Sequence, residues 1–199
     1  MIPLVRGVLT LLLVLLVASP VLAFDPDQTF RQGAFTVSPE LGYGHQFNLE
    51  DKHVYTGVEF VNAGVRFGWL PFRPVGPGPL HGALEIGLEP VYQRYFDTVD
   101  AFFGGLGATV RYSFLSLGRF VPYVEVAAAA GGTDLKISEI RSDFTFMLWG
   151  GVGLSYFVTD HTAIYGGYRY QHVSNGNTER VNRGFESNGG VAGVSFYFE

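Results

Sequence analysis

The stretch Gly105-Leu106-Gly107-Ala108-Thr109-Val110-Arg111-Tyr112-Ser113-Phe114 decides the fold. Leu106, Ala108, Val110, Tyr112 and Phe114 share one parity, while Gly105, Gly107, Thr109, Arg111 and Ser113 share the other. A period of two marks a strand with one apolar and one polar face. Upstream, Leu84, Ile86, Leu88 and Tyr92 oppose Glu85, Gly87, Glu89 and Gln93. Downstream, Ala192, Val194, Phe196 and Phe198 oppose Gly193, Ser195 and Tyr197. Extending the pattern gives eight strands near 34–48, 53–69, 81–95, 102–114, 121–132, 143–157, 162–174 and 187–199. The second is the least regular, because Val58, Phe60 and Val61 are apolar on both parities, so a bulge or a shifted phase stays open there.

The orientation of these faces follows from what each would meet. With the apolar parity outward, Arg66, Glu85, Glu89, Arg111, Glu125, Arg169 and Gln171 point inward, with both charge signs present. An eight-strand barrel has an interior just wide enough for side chains, so these would ion-pair in a filled lumen rather than line a pore. A soluble lipocalin-type barrel would reverse the faces. Outward aromatics at Tyr112, Phe114, Tyr156, Phe196 and Phe198 favour lipid outside. The expected fold is therefore an all-β, eight-stranded antiparallel transmembrane β-barrel. The Pro-rich stretch Pro71 to Pro79 and shorter turns near Leu117-Gly118 and Thr159-Asp160 would join strands on the periplasmic side, with loops near 48–53, 96–101, 133–142 and 175–186 outside.

The beginning of the chain fits this destination. Arg6 precedes an apolar run from Val8 to Val17, and the segment ends Val21-Leu22-Ala23. This reads as a secretory signal peptide over 1–23, too short an apolar run for a spanning helix. One barrel domain over 24–199 follows. There is no cysteine, which excludes a disulfide framework, a lipoprotein anchor and a thiol nucleophile. The net charge of −5, without Lys/Arg runs, gives no footprint for nucleic acid.

One strand breaks the greasy pattern. In 162–174 the outward parity runs Ile164, Gly166, Tyr168, Tyr170 and then His172 and Ser174. Two residues along a strand are roughly 6.5–7 Å apart on the same face, within reach of an imidazole and a hydroxyl. On the last strand the outward parity continues through Gly190 and Asn188 to Glu186. A hairpin between these strands would bring the carboxylate to the imidazole, fixing its tautomer and stabilising the imidazolium formed when serine attacks an ester. The plain alternatives are a polar girdle and a solvated loop glutamate. Polar groups aimed at hydrocarbon lose hydrogen bonds to water, which gives their shared parity weight.

The segment Tyr170-Gln171-His172-Val173-Ser174-Asn175, followed by Asn182-Arg183-Gly184-Phe185-Glu186, resembles the PagL family of lipid A 3-O-deacylases. That family carries H-x-S-N on its seventh strand and a glutamate twelve residues after the serine, the spacing of Ser174 and Glu186 here. The detailed match covers about the last thirty residues, and the rest agrees in architecture. One departure is the final Phe198-Glu199, where such barrels commonly end on an aromatic residue.

The resemblance implies Ser174 as nucleophile, His172 as general base and then acid, and Glu186 as its orienting partner. Asn175, a backbone N–H of Gly176 or Asn177, and Asn182 would be oxyanion-hole candidates, Asn182 being equally a turn residue. Arg180 and Arg183 would meet substrate phosphates or remain solvated loop cations. The reaction implied is hydrolysis of the ester-linked 3-O-acyl chain of lipid A in the bacterial outer membrane, with the site facing the outer leaflet and no metal or other cofactor. Lipid A and the surrounding membrane lipids are the expected partners, and a homodimer stays open. The rival readings are a non-enzymatic structural or adhesion barrel and a phospholipase using the same triad.

Overall fold

The structure, a computed structural model, describes residues 24–47, 49 and 55–199. The leader read at 1–23 lies outside the described residues, as does all but residue 49 of the loop expected at 48–53. Eight strands follow in order: β1 (Phe35–Gln46), β2 (Glu59–Trp69), β3 (Gly82–Phe96), β4 (Ala101–Phe114), β5 (Phe120–Thr133), β6 (Phe144–Phe157), β7 (Thr162–Ser174) and β8 (Phe185–Phe198). Each pairs antiparallel with the next, and β1 pairs with β8, closing the barrel and leaving no sheet edge.

Apolar side chains cover the outer wall. Leu41, Phe67, Leu88, Leu106, Val126, Val152, Ile164 and Phe198 are all exposed, whereas Ser38, Arg66, Glu85, Arg111, Glu125 and Arg169 are buried. This distribution is that of a barrel solvated by lipid. In β2 the phase is regular over the strand: Phe60, Gly64, Arg66 and Gly68 face in, and Val61, Phe67 and Trp69 face out. Its pairing with β1 runs without interruption from Phe35–Trp69 to His45–Glu59. The strand begins at Glu59 rather than at 53, and Val58, already outside it, turns into the interior.

The lumen has three layers. Its middle is an ion-pair network in which Arg66 Nε lies 2.9 Å from Glu85, Arg111 Nη2 2.6 Å from Glu125 and Arg169 Nε 2.6 Å from Glu125. Glu40, which the alternation reading left out, completes it by pairing with Arg169 and accepting from Tyr165 Oη at 2.8 Å. Multiple partners compensate charges that would be prohibitive to bury singly. The two flanking layers are apolar, which an all-polar interior did not anticipate. At the loop end, Phe60, Phe103, Met147, Trp149, Val173 and Phe185 pack beneath Leu135, Ile137 and Ile140 of the β5–β6 loop. At the other end, Phe24, Phe30, Leu70, Leu115, Phe157 and Tyr197 form a second cluster.

That second cluster is seated by a short helix, α1 (Pro26–Thr29), which periodicity over so few residues could not reveal. Its local signals are nonetheless present: Asp25 caps it by accepting from Asp27 N, and proline opens it. The terminal departure has a structural counterpart as well. Glu199 pairs with Arg31 at 2.9 Å just past the end of β8.

Candidate active site

His172 and Glu186 are direct partners in the register between β7 and β8. Inward neighbours Gln171, Val173, Phe185 and Ser187 are buried, so strand alternation turns His172, Ser174 and Glu186 to the outer wall, where each is half-buried. Nδ1 of His172 lies 3.1 Å from Glu186 Oε1. A carboxylate on Nδ1 fixes the tautomer with Nε2 free to accept a proton. Glu186 is part of β8 itself, because the strand starts at Phe185 rather than 187. The carboxylate is thus carried on sheet, a firmer support than the loop expected there.

Ser174 ends β7, two residues beyond His172 on the same face, opposite Phe146 of β6. Among the described residues its hydroxyl makes no hydrogen bond to the imidazole. Such bonds are commonly long or misaligned before substrate binds. Exposed Phe146 and Leu148, the β6 neighbours of Ser174 and His172, make the adjoining wall apolar. That surface suits an acyl chain.

Gly184 backs the imidazole, and the alternation pattern did not single it out. A Cβ there would stand 2.8 Å from the Val173 carbonyl, 3.0 Å from His172 Cε1 and 3.3 Å from Nε2. Its φ of +69° also belongs to the left-handed region that favours glycine. The signal was available in the motif, since Gly184 precedes Glu186 by two residues.

The loop between β7 and β8 is knitted around Asn175, which is fully buried. Its N–H donates to Asn182 Oδ1 at 2.8 Å, its Nδ2 donates to the Glu179 and Val181 carbonyls, and its Oδ1 accepts from Asn177 N at 3.0 Å. Asn182 Nδ2 in turn donates to Asn177 Oδ1 at 3.1 Å. Three of the four oxyanion candidates are therefore engaged in holding the loop. Gly176 differs: it is exposed, adopts φ +62°, and among the described residues its N–H has no acceptor.

Arg180 and Arg183 are exposed on this loop. The structure adds Arg141, whose N–H donates to the Val181 carbonyl at 3.3 Å and which lies beside an isolated bridge between Ile140 and Asn182. Arg141 is remote in sequence, so only the folded loops reveal its proximity. Among the described residues no three His, Asp or Glu side chains converge as metal ligands.

Comparison with known proteins bears on the fold and the family. Among solved structures, Neisserial surface protein A superposes with a TM-score of 0.61 at 20% identity, covering 84% of this chain and 100% of that one. The outer membrane enzyme PagL superposes with a TM-score of 0.59 at 16% identity, covering 79% of this chain and 97% of that one. At such identities the likeness establishes the shared barrel fold. No curated protein matches the sequence. The family model described as lipid A 3-O-deacylase (PagL) matches residues 64–195, which span β3 to β7 entirely, β8 as far as Ser195 and the second half of β2. This chain is an outer-membrane β-barrel that belongs to the PagL family of lipid A 3-O-deacylases.

Proposed function

We propose that the protein is an outer-membrane serine esterase that hydrolyses the ester-linked 3-O-acyl chain of lipid A and releases a 3-hydroxy fatty acid. The observation that carries this reading is the His172–Glu186 pair at 3.1 Å on the outer wall, beside exposed Phe146 and Leu148, with Ser174 two residues along on the same face. The family's description as lipid A 3-O-deacylase supports lipid A as the substrate and its 3-linked ester as the bond cleaved.

In this mechanism Ser174 Oγ attacks the ester carbonyl while His172 Nε2 takes its proton. Glu186 stabilises the resulting imidazolium. The negative charge on the tetrahedral oxygen is met by the Gly176 N–H, which has no acceptor among the described residues, and a preorganised donor of this kind contributes about 3 kcal/mol. Collapse expels the sugar 3-hydroxyl, which takes the proton back from His172. Water, deprotonated by the same imidazole, then releases the fatty acid from the acyl-enzyme.

The position of the site at the end of β7 supports this reading. With strands running outward from a periplasmic N-terminus, the end of β7 reaches the outer leaflet, where lipid A resides. The acyl chain would lie along Phe146 and Leu148, and Arg180 and Arg183 would meet phosphates at the rim.

Purified, folded barrel incubated separately with lipid A and with phospholipid tests this assignment. Release of 3-hydroxy fatty acid from lipid A and not from phospholipid is expected. Preferential release from phospholipid would make the protein a phospholipase, and release from neither would leave a structural or adhesion barrel.

A further inference from the structure

No sequence pattern marks Glu139, yet in the β5–β6 loop it is only 1% exposed. Its Oε1 accepts from Gln46 Nε2 at 2.6 Å and from Thr56 N at 2.8 Å, while Oε2 accepts from Thr56 Oγ1 at 2.5 Å. All these donors are neutral. A carboxylate is costly to bury on such terms, so its placement at the junction of three loop regions calls for a reason.

Two routes lead from Glu139 to the His172–Glu186 pair. The first is through its own backbone: the Glu139 carbonyl accepts from Arg183 N at 2.8 Å and Gly184 N at 3.3 Å. Gly184 is the residue against which the imidazole rests. The second is through Gln46. That side chain is held by Glu139 on one side and accepts from Gly57 N and Val58 N on the other. The next residue, Phe47, donates its N–H to the Glu186 carbonyl at 2.7 Å. The Glu139 side chain thus anchors the loop whose own carbonyl holds the backbone behind the histidine, and through Gln46 it also steadies the strand end that bonds the backbone of Glu186.

We infer that Glu139 is a positioning residue for the esterase reaction, fastening the β1–β2, β5–β6 and β7–β8 connections so that His172 and Glu186 keep their pairing. The inference rests on the esterase reading above. Glu139 touches neither substrate nor the reacting atoms, so its loss acts on turnover rather than on lipid binding. Misplacement of catalytic groups by an ångström from a remote change costs as much as 10²-fold.

Steady-state kinetics of the detergent-folded barrel on lipid A test it, with folding checked by heat-modifiable electrophoretic mobility. Glu139→Ala is expected to lower kcat roughly 10- to 100-fold and to leave KM within about twofold. Glu139→Gln should restore most of the turnover, because its amide oxygen still accepts from Thr56 N and the Thr56 hydroxyl can turn to accept from the amide. Should Glu139→Ala fail to fold, Thr56→Ala removes one donor alone and is expected to lower kcat several-fold. Wild-type kcat in a folded Glu139→Ala or, failing that, in Thr56→Ala overturns the inference. Equal losses in Glu139→Ala and Glu139→Gln, or a rise in KM with kcat unchanged, would do the same. Ser174→Ala separates the two claims: if it is inactive while Glu139→Ala is fully active, only the positioning role fails, and if it keeps wild-type activity, the esterase reading fails first.

Discussion

His172 and Glu186 occupy directly opposed positions on β7 and β8, with Nδ1 3.1 Å from Oε1, so the sheet ladder itself sets their pairing. In serine hydrolases the carboxylate holds the tautomer and stabilises the imidazolium. Glu186→Ala is accordingly expected to lower kcat by roughly 10²- to 10⁴-fold while the barrel stays folded. Fatty acid release from purified lipid A measures this, and a wild-type rate would remove Glu186 from the mechanism without touching Ser174 and His172.

Gly184→Ala should damage activity more than stability. The added methyl meets the Val173 carbonyl and the imidazole edge, and the +69° φ adds about 1–2 kcal/mol of backbone strain. The expected result is at least a roughly tenfold drop in kcat with a modest shift of the denaturant midpoint. Unchanged turnover in this variant would show that the imidazole does not depend on that contact.

Val181 also adopts a left-handed φ of +69°, an outlier for a β-branched residue. Its carbonyl accepts from Arg141 N and Asn175 Nδ2, which hold the strained turn in place. Val181→Asn or Val181→Gly should relieve the strain and stabilise the folded barrel by about 1 kcal/mol. Guanidinium unfolding in micelles reads this directly, and a destabilised Val181→Gly would mean that the valine side chain contributes more than its backbone costs.

At the opposite end, the Asp27 carboxylate hydrogen-bonds His81 Nε2 at 2.7 Å and holds that imidazole above its ordinary value. The Gly76 carbonyl at Nδ1 acts in the same direction, while partial burial opposes both. A raised folded value means that this contribution to stability is fully present below the unfolded value, about 6.5. It is lost as pH rises through the folded value. The unfolding midpoint of the wild type should fall over that window, and Asp27→Asn should flatten the fall. An identical slope in both proteins would show that the pair does not anchor α1.

Much of the barrel was legible because lipid outside and charge at the middle of the lumen impose apolar–polar alternation on much of each strand. Arg66, Arg111, Glu125 and Arg169 were placed by parity alone, and so were His172, Ser174 and Glu186. Alternation misled where inward residues are apolar. Phe60, Met147, Trp149 and Val173 face a loop-capped core that resembles a soluble interior, and Val58 joins it just outside β2. Glu139 and Arg141 were invisible for another reason: their roles arise from contacts between loops far apart in sequence, which no local period encodes.

Mass spectrometry of lipid A from cells producing either the wild-type barrel or Ser174→Ala, with folded protein confirmed in the outer membrane of both, decides whether the barrel is a deacylase that uses Ser174. Loss of the 3-linked acyl chain in wild-type cells and its retention in Ser174→Ala cells is the predicted result. Retention in both, or loss in both beyond that of cells without the protein, would contradict deacylation by Ser174.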